Sequence, residues 1–339
     1  MISEPLDDFW EFSFAVAPAT PVRCVSAAGG LVIAAGASLH MLRPGSQRLR
    51  SRALPPDFDV IAVAAEPWSP YRFAIASSTI VGIYTGHKPY EPIYGRRFVD
   101  PKLRATHLAW SRRDGQSILY FRQSDGKVPQ LVPEDPEQDG VLNGPVVQAI
   151  ASDGNGILSL AELVPTPPAN TGDVWILPEG ARAWSKRWVD YYTMSEDDPD
   201  THTYLAVHGR AVALSGDDGF ATVSWERGED ETETENSEER TFVMLPGVFM
   251  GPIAFQNDHV IFAAYNVEGQ VRILRHARNG GITRIARFGV GDDWTTGVPA
   301  TVTGLAWDEE RRVLWAASPE LGLIKLTEPA ARDTKLPLN

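Results

Sequence analysis

Cysteine is almost absent from this sequence: Cys24 is the single cysteine among 339 residues. One cysteine cannot close an internal disulfide, and it excludes a zinc site built on paired cysteines. Chains without disulfides are typical of reducing compartments, so we expect such a setting, with Cys24 acting as a small buried hydrophobic residue.

Long hydrophobic runs and a secretory signal are also missing. No stretch approaches the roughly 18 uninterrupted apolar residues that indicate a membrane span. The first eight residues carry three acids and no basic residue, which is the opposite of the charge that begins a secretory signal. The sequence therefore predicts a cytoplasmic protein without membrane insertion.

Basic residues are scarce overall and unevenly placed. The chain has 31 Lys and Arg against 44 Asp and Glu, for a net charge of −13, so repulsion from phosphates argues against direct nucleic-acid binding. Residues 40–130 nevertheless hold 14 basic and 7 acidic side chains. The charges of this basic sector either keep exposed strands soluble, or two oppositely charged partners, or two copies of one partner, dock on the basic and acidic sectors. The representatives of the basic sector are Arg96, Arg97, Arg112 and Arg113.

Sequence motifs of common catalytic and cofactor sites are not found. The chain lacks Gly-x-Ser-x-Gly, His-Glu-x-x-His, Gly-x-Gly-x-x-Gly and the P-loop pattern, which would mark a nucleophile elbow, a helical zinc pair or a phosphate cradle. The seven histidines are scattered, and none stands at ligand spacing from another. We therefore assign no catalytic, cofactor-binding or metal-binding residue and expect no cofactor.

A repeat is the dominant feature of the chain. Seven times it runs through three short apolar strands separated by turns, with first strands beginning near residues 22, 60, 105, 146, 203, 252 and 302. The spacing is close to the roughly 40 to 45 residues of a four-stranded propeller blade, and a fourth, more polar strand follows most repeats. The pattern predicts an all-β fold: a single closed seven-bladed β-propeller of four-stranded antiparallel blades.

The predicted propeller covers residues 1–329 and is followed by a polar tail at 330–339. The last repeat has no fourth strand after Leu326, whereas residues 9–16 alternate large apolar with small or polar residues ahead of the first repeat. We expect segment 9–16 to complete the last blade and close the ring. The predicted blades are 17–56, 57–100, 101–143, 144–200, 201–248, 249–297 and 298–329.

The repeats resemble those of WD40-like seven-bladed β-propellers, in a degenerate form. The Trp-Asp and Gly-His pairs of that superfamily occur once each, at Trp307-Asp308 and Gly86-His87, so the resemblance reaches the superfamily and no subfamily. It implies a non-catalytic scaffold or adaptor that binds one or more proteins within a larger cytoplasmic assembly.

Two kinds of surface segment are candidates for partner contact. Residues 226–240 hold eight acids and no apolar residue, and between a third and a fourth strand they would project from the face that carries such loops. This segment is either a solvated insertion or a contact for a basic segment. Its representatives are Glu229, Asp230, Glu231, Glu233 and Glu235.

Aromatic residues in acidic loops form the second candidate. Two loops that follow fourth strands combine large rings with uncompensated acids, as interface hot spots do. The rings either contact a partner or fold inward as loop anchors. The residues are Tyr191, Tyr192, Met194, Asp197, Asp198, Asp292, Asp293 and Trp294.

The alternative function is a small-ligand or metal-dependent hydrolase that uses the central channel. Residues 304–308 and 313–315 resemble a blade opening of calcium-dependent lactonase propellers, but a hairpin explains them without a metal. Residues 215–219 loosely resemble an Asp-box turn, and we expect a structural turn there. An enzyme would need Asp, Glu, Asn or His converging at one level of the channel, for example around His202 and His208, whereas the inner strands are dominated by Ala, Val, Leu and Gly.

Overall fold

A computed structural model describes residues 6–18, 20–55, 58–87, 91–100, 102–144, 146–153, 158–166, 169–177, 185–193, 204–209, 211–225, 238–267, 270–277, 281–289 and 299–329. The only helical element within these ranges is a 3-10 turn, Pro136–Gln138. No helix in the described part of the chain is long and apolar enough to cross a membrane.

The other regular elements of the described residues are β-strands. The strands, numbered in chain order, are β1 (Leu6–Asp7), β2 (Glu11–Val16), β3 (Val22–Ala28), β4 (Leu31–Gly36), β5 (Ser38–Leu42), β6 (Arg50–Ala53), β7 (Val60–Ala65), β8 (Arg72–Ser77), β9 (Ile80–Thr85), β10 (Tyr94–Arg97), β11 (Ala105–Arg113), β12 (Gln116–Gln123), β13 (Pro129–Leu131), β14 (Gly140–Val141), β15 (Val147–Ser152), β16 (Leu158–Thr166), β17 (Ala169–Leu177), β18 (Ser185–Thr193), β19 (Tyr204–His208), β20 (Ala211–Trp225), β21 (Glu238–Asn257), β22 (Val260–Val267), β23 (Gln270–Ala277), β24 (Ile282–Gly289), β25 (Gly304–Asp308), β26 (Val313–Ser318) and β27 (Gly322–Thr327).

These strands form six sheets, which are the blades of a β-propeller. The first to fourth sheets are β3–β6, β7–β10, β11–β14 and β15–β18; the fifth is seven-stranded, in the order β1-β24-β23-β22-β21-β20-β19; the sixth is β2-β27-β26-β25. Four-stranded antiparallel blades are thus confirmed for five of the sheets. The predicted count of seven separate blades is wrong, because the structure has six.

The difference arises in the fifth and sixth predicted repeats, where four predicted strands are two long ones. The second and third strands of the fifth repeat belong to the continuous β20, and the fourth joins the first strand of the next repeat in β21. The predicted blade boundary at 248/249 therefore falls inside β21. Likewise, Ser215–Gly219 lies within a strand rather than in the predicted turn, at a register shift between Asp217 and Gly219.

The N-terminal segment lies at the outer edge of the sixth sheet. Strand β2 pairs antiparallel with β27, from Glu11 opposite Thr327 to Val16 opposite Leu323. This is the position that the missing fourth strand of the last repeat leaves for it. Ahead of β2, β1 pairs in parallel with β24 of the fifth sheet, a contact that the sequence pattern did not predict.

Buried side chains fill the spaces between the sheets. Leu31, Ile33, Phe73 and Ile75 pack the first sheet against the second. Similar clusters lie between the other sheets, because the buried strands are apolar on both faces. The innermost strands β3, β7, β11, β15, β19, β21 and β25 contact one another in this order, and β25 contacts β3. We call the face where these inner strands begin the entry face, and the face where they turn into the next strand the turn face.

Candidate functional site

The inner strands surround a central cavity of about 910 Å³. Its walls are formed by all seven inner strands and consist mainly of apolar residues, among them Trp110 and Trp307. This agrees with the apolar inner strands read from the sequence. Polar side chains of the lining include Asp153, His208 and Asp308, and each of these stands at the turn-face end of its strand.

Buried carboxylates follow three of the inner strands at this end. Glu66 comes directly after β7, Asp153 directly after β15, and Asp308 is the last residue of β25; all three are buried. A buried carboxylate is costly unless it is paired or hydrogen-bonded. The partners of each one therefore indicate what it does.

Glu66 joins the second sheet to the third. It forms an ion pair with Arg72 of β8, and its Oε1 accepts a hydrogen bond of 2.5 Å from the Ser117 hydroxyl of β12. Arg72 also donates to Glu134 at 2.6 Å. The carboxylates, Glu66 foremost, raise the pKa of Arg72 above its ordinary value.

Asp153 joins the fourth sheet to the fifth. Its Oδ2 accepts a hydrogen bond of 2.7 Å from the backbone amide of Gly209, in the turn after β19. The neighbouring His208 has its Nε2 3.5 Å from Oδ1 of Asp258, and its ring stacks near Phe255. His208 therefore faces a carboxylate next to the neighbouring inner strand of its own sheet and not one from across the ring; His202 lies outside the described residues.

Asp308 joins the sixth sheet to the first through Arg311. Asp308 Oδ2 lies 2.7 Å from Arg311 Nη1, and the Trp315 indole nitrogen is 3.4 Å from the same oxygen. The guanidinium in turn donates to the carbonyl oxygens of Gly30 at 2.9 Å and Arg43 at 2.6 Å. The single Trp-Asp pair of the sequence therefore lies in a hairpin, as predicted, and contacts the next sheet.

These three carboxylates share one role: each fastens its sheet to the following one. The sequence contained a signal for them, because an acid follows the apolar first strand in the second, fourth and seventh repeats. No catalytic motif contains these three acids, because each of them recurs at the same position of a different repeat. Within the described part of the chain, no three His, Cys, Asp or Glu side chains are grouped so that they could hold a metal ion.

The structure separates the basic residues singled out from the sequence into two places. Arg96 and Arg97 are exposed on β10, the outer strand of the second sheet. Arg112 and Arg113 end the inner strand β11 at the turn face, where Arg112 lies over the Trp68 ring at 5.7 Å and Arg113 donates to Gln138 at 3.2 Å.

The outer strand β10 presents the more open surface. It pairs only with β9, so one backbone edge is unpaired, and next to it Ile93 is 50% and Val99 100% exposed. Gly95 permits the close approach to β9, because a Cβ there would lie 2.6 Å from the Val81 carbonyl oxygen. We call residues 93–99 the β10 strip.

The β10 strip is anchored on its other side. The Tyr94 hydroxyl donates a hydrogen bond of 2.5 Å to Asp139, which lies next to the outer strand of the third sheet. Desolvation, followed by this carboxylate, raises the pKa of Tyr94 to about 12, so the hydroxyl keeps its proton and the contact at neutral pH. The strip is therefore a fixed surface rather than a fraying edge.

The aromatic and acidic candidates are placed only in part. Tyr191 and Tyr192 lie in the outer strand β18, opposite Gly172 and Thr171, and not in a loop after an outer strand as predicted. Strand β18 begins at Ser185, so the predicted fourth strand at 181–185 is displaced along the chain. Outside the described residues are Met194, Asp197, Asp198, Asp292, Asp293 and Trp294.

The acidic segment also lies outside the described residues, with Glu229, Asp230, Glu231, Glu233 and Glu235. Its flanks are described: Trp225 of β20 pairs with Glu238 of β21. Because β20 continues away from its turn with β19, this pair stands toward the entry face. The prediction placed the segment on the opposite face, which would require a turn between the second and third strands that β20 does not make.

Cys24 is a free cysteine. Its thiol donates to the Ala35 carbonyl oxygen at 3.6 Å, and desolvation raises its pKa to about 12. Because the thiolate is the reactive form, this sulfur is unreactive at neutral pH. It packs at the edge of the cluster between the first and second sheets, in keeping with the hydrophobic role expected from the sequence.

No family model matches this chain, and no curated protein matches it. Solved structures are similar across nearly the whole chain: U3-55K (12% identity, 94% of this chain and 98% of the other, TM-score 0.62), the WD40 repeats of RRP9 (11%, 96% and 99%, 0.60) and virginiamycin B lyase from Staphylococcus aureus (12%, 94% and 100%, 0.60). At such identities the similarity shows the fold alone. It agrees with the β-propeller fold that the strands form.

Proposed function

We propose that this protein is a non-catalytic docking subunit that binds another protein through the β10 strip. One observation carries the proposal: two arginines and two exposed aliphatic side chains stand within seven residues, beside an unpaired strand edge. Arginine is enriched in interfaces, where lysine and acids are depleted, and the buried core of an interface is more apolar than the remaining surface. An open strand edge can hydrogen-bond an extended segment.

The buried carboxylates at the turn-face end of the inner strands support this function over the hydrolase alternative. A channel enzyme would need polar groups that are available to substrate. The following sheet is instead contacted directly by Glu66 and Asp153 and, through Arg311, by Asp308. Each of these carboxylates therefore has a structural role. The lyase among the similar structures shares the fold, at 12% identity.

The charge of the strip indicates the kind of partner. Arg96 and Arg97 are exposed on a strand in the basic sector, so a partner segment rich in Asp or Glu would be attracted and oriented there. We place the interaction in the cytoplasm, on the evidence of the single cysteine. The aromatic and acidic residues at 191–198 and 292–294 remain a second proposed contact surface, for a basic segment of a partner.

Site-specific photo-crosslinking tests the proposal. A photoreactive amino acid replaces Ile93, and in a control protein it replaces Phe14, which is 38% exposed on the outer strand of the sixth sheet. We expect one protein from the native cell to be crosslinked at position 93, not at position 14, and the crosslink to be lost with Arg96→Glu/Arg97→Glu. Equal labelling at both positions, or none at 93, would contradict the proposal.

A further inference from the structure

The backbone of β10 alternates between its partner strand β9 and the open edge of the second sheet. Phe98, directly after β10, donates its amide to the carbonyl oxygen that precedes β9, at 2.9 Å. The antiparallel pairing of β10 with β9 runs without a register shift from Tyr94 to Arg97. Because hydrogen-bonded and non-hydrogen-bonded pairs alternate along such a ladder, the amides of Tyr94 and Arg96 point toward β9. The amides of Gly95 and Arg97 therefore point to the open edge, where a further strand can pair with them.

The side chains of β10 alternate in the same way between its two faces. Tyr94 and Phe98 pack against the hydrophobic cluster between the second and third sheets, and the Phe98 ring lies 6.1 Å from the Phe121 ring. Arg96, between them in the chain, therefore stands on the face toward the third sheet, and Arg97 stands on the opposite face. Both arginines are exposed. The edge thus presents one positive charge on each face.

Exposed aliphatic residues flank this pair of arginines. Ile93 precedes β10 and Val99 follows it, and both are exposed, so apolar side chains of a partner would be removed from water by packing on them. Charged residues on an edge strand normally prevent pairing. A strand that neutralises both arginines removes this obstacle, whereas uncharged and basic strands do not. The charges of the edge therefore select for one kind of partner.

We propose that the partner pairs with β10 as a further antiparallel strand, through an extended segment in which two consecutive acidic residues stand between apolar ones. Antiparallel is the direction of every strand pair in the second sheet. Residues directly opposite each other on paired strands share a face, so consecutive acids place one carboxylate beside Arg96 and the other beside Arg97. Apolar residues about two or three positions outside the acids cover Ile93 and Val99. This inference rests on the proposed function and names the kind of segment that binds.

Two fluorescein-labelled peptides of the same composition test the pairing. Val-Thr-Glu-Glu-Thr-Thr-Val has consecutive acids, whereas the acids of Val-Thr-Glu-Thr-Glu-Thr-Val alternate, share one face and can reach only one arginine. Fluorescence anisotropy with the full-length protein gives the two dissociation constants. We expect the first peptide to bind roughly 2-fold to 5-fold more tightly, which is the effect of one exposed ion pair, and the difference to vanish in Arg96→Ala. Equal affinities for the wild type, or no binding of the first peptide, would overturn the proposal.

Two variants of Arg97 test the backbone contact. Arg97→Ala removes the charge and keeps the amide, whereas Arg97→Pro removes both. Because this amide points away from β9, proline at this position takes no hydrogen bond from the sheet. We expect Arg97→Pro to bind the first peptide roughly 2-fold to 10-fold more weakly than Arg97→Ala, at similar melting temperatures. Equal binding by the two variants would overturn the strand pairing; if Arg97→Pro melts at a lower temperature, the two peptides on the wild-type protein decide.

Failure of the strand pairing can be told apart from failure of the docking function. A partner crosslinked at Ile93, together with equal affinities for the two peptides, would retain the docking function and overturn the strand pairing. The absence of a crosslink at this position would contradict the docking function itself, whichever peptide binds.

Discussion

Asp308 and Arg311 form a buried ion pair at the junction between the last sheet and the first. Their side chains are only 2% and 8% exposed, with Oδ2 2.7 Å from Nη1. The guanidinium of Arg311 also donates hydrogen bonds to backbone carbonyl oxygens next to the strands of the first sheet. Arg311 therefore contacts residues 265 to 281 positions away in the chain, and the pair contributes directly to holding the sixth sheet against the first.

Removing the carboxylate should destabilise the protein strongly. Asp308→Ala leaves the Arg311 charge buried without its partner, and breaking such a pair typically costs about 3 to 5 kcal/mol of unfolding free energy. Urea unfolding followed by circular dichroism measures it. The matched control is Glu328→Ala, which removes the exposed partner of Arg312 and should cost less than about 1 kcal/mol. An equal loss of unfolding free energy in the two variants would show that the Asp308–Arg311 pair does not stabilise the junction between the sheets.

The N-terminal strand should be required for a stable sixth sheet. Trp10, just before β2, is buried, and its ring lies 5.4 Å from Phe262 and 6.4 Å from Trp307. Trp10→Ala should cost about 3 to 5 kcal/mol, and deletion of residues 1–16 should expose the β27 edge and cause aggregation. The exposed Phe14 provides the control: Phe14→Ala should stay within about 1 kcal/mol of the wild type. Unchanged melting of the truncated, monomeric protein would contradict the assigned pairing.

A buried histidine should make stability depend on pH. Both ring nitrogens of His276 lack a hydrogen-bond partner among the described residues, and burial lowers the pKa of this histidine. Burial also lowers the pKa of His40. Below the unfolded value of about 6.5 the unfolded chain takes up a proton that the folded chain resists, so stability falls on acidification.

His276→Leu tests this because it removes both unpaired nitrogens beside Phe220. We expect the variant to be as stable as the wild type or more stable near neutral pH, since burying an unpartnered polar group costs about 1 to 3 kcal/mol. Its melting temperature should also fall less between about pH 7.5 and pH 5.5 than that of the wild type. An unaltered pH dependence would mean that His276 is hydrated or paired in solution.

The sequence predicted the propeller, most strand positions and the place of β2, because these follow from local alternation and a regular repeat. It failed at β20 and β21, where strand pairing continues across positions whose composition reads as turns, such as Ser215–Gly219. Local chemistry favours a turn there, and pairing with a neighbouring strand overrides it. For the candidate site, the exposure of Arg96 and Arg97 on an outer strand was predictable, but the unpaired edge, the Tyr94–Asp139 contact and the carboxylate links between sheets depend on distant residues.

The dissociation constant of the partner crosslinked at Ile93 is the most direct test of the docking function. It should be measured for the wild type, for Arg96→Glu/Arg97→Glu and for Arg112→Glu/Arg113→Glu, which makes the same charge change in the basic sector but at the turn face. We predict that the first variant binds at least about 10-fold more weakly, a loss of about 1.4 kcal/mol, with an unchanged melting temperature, and that the second binds like the wild type. Wild-type affinity in the first variant, or an equal loss in both, would contradict it.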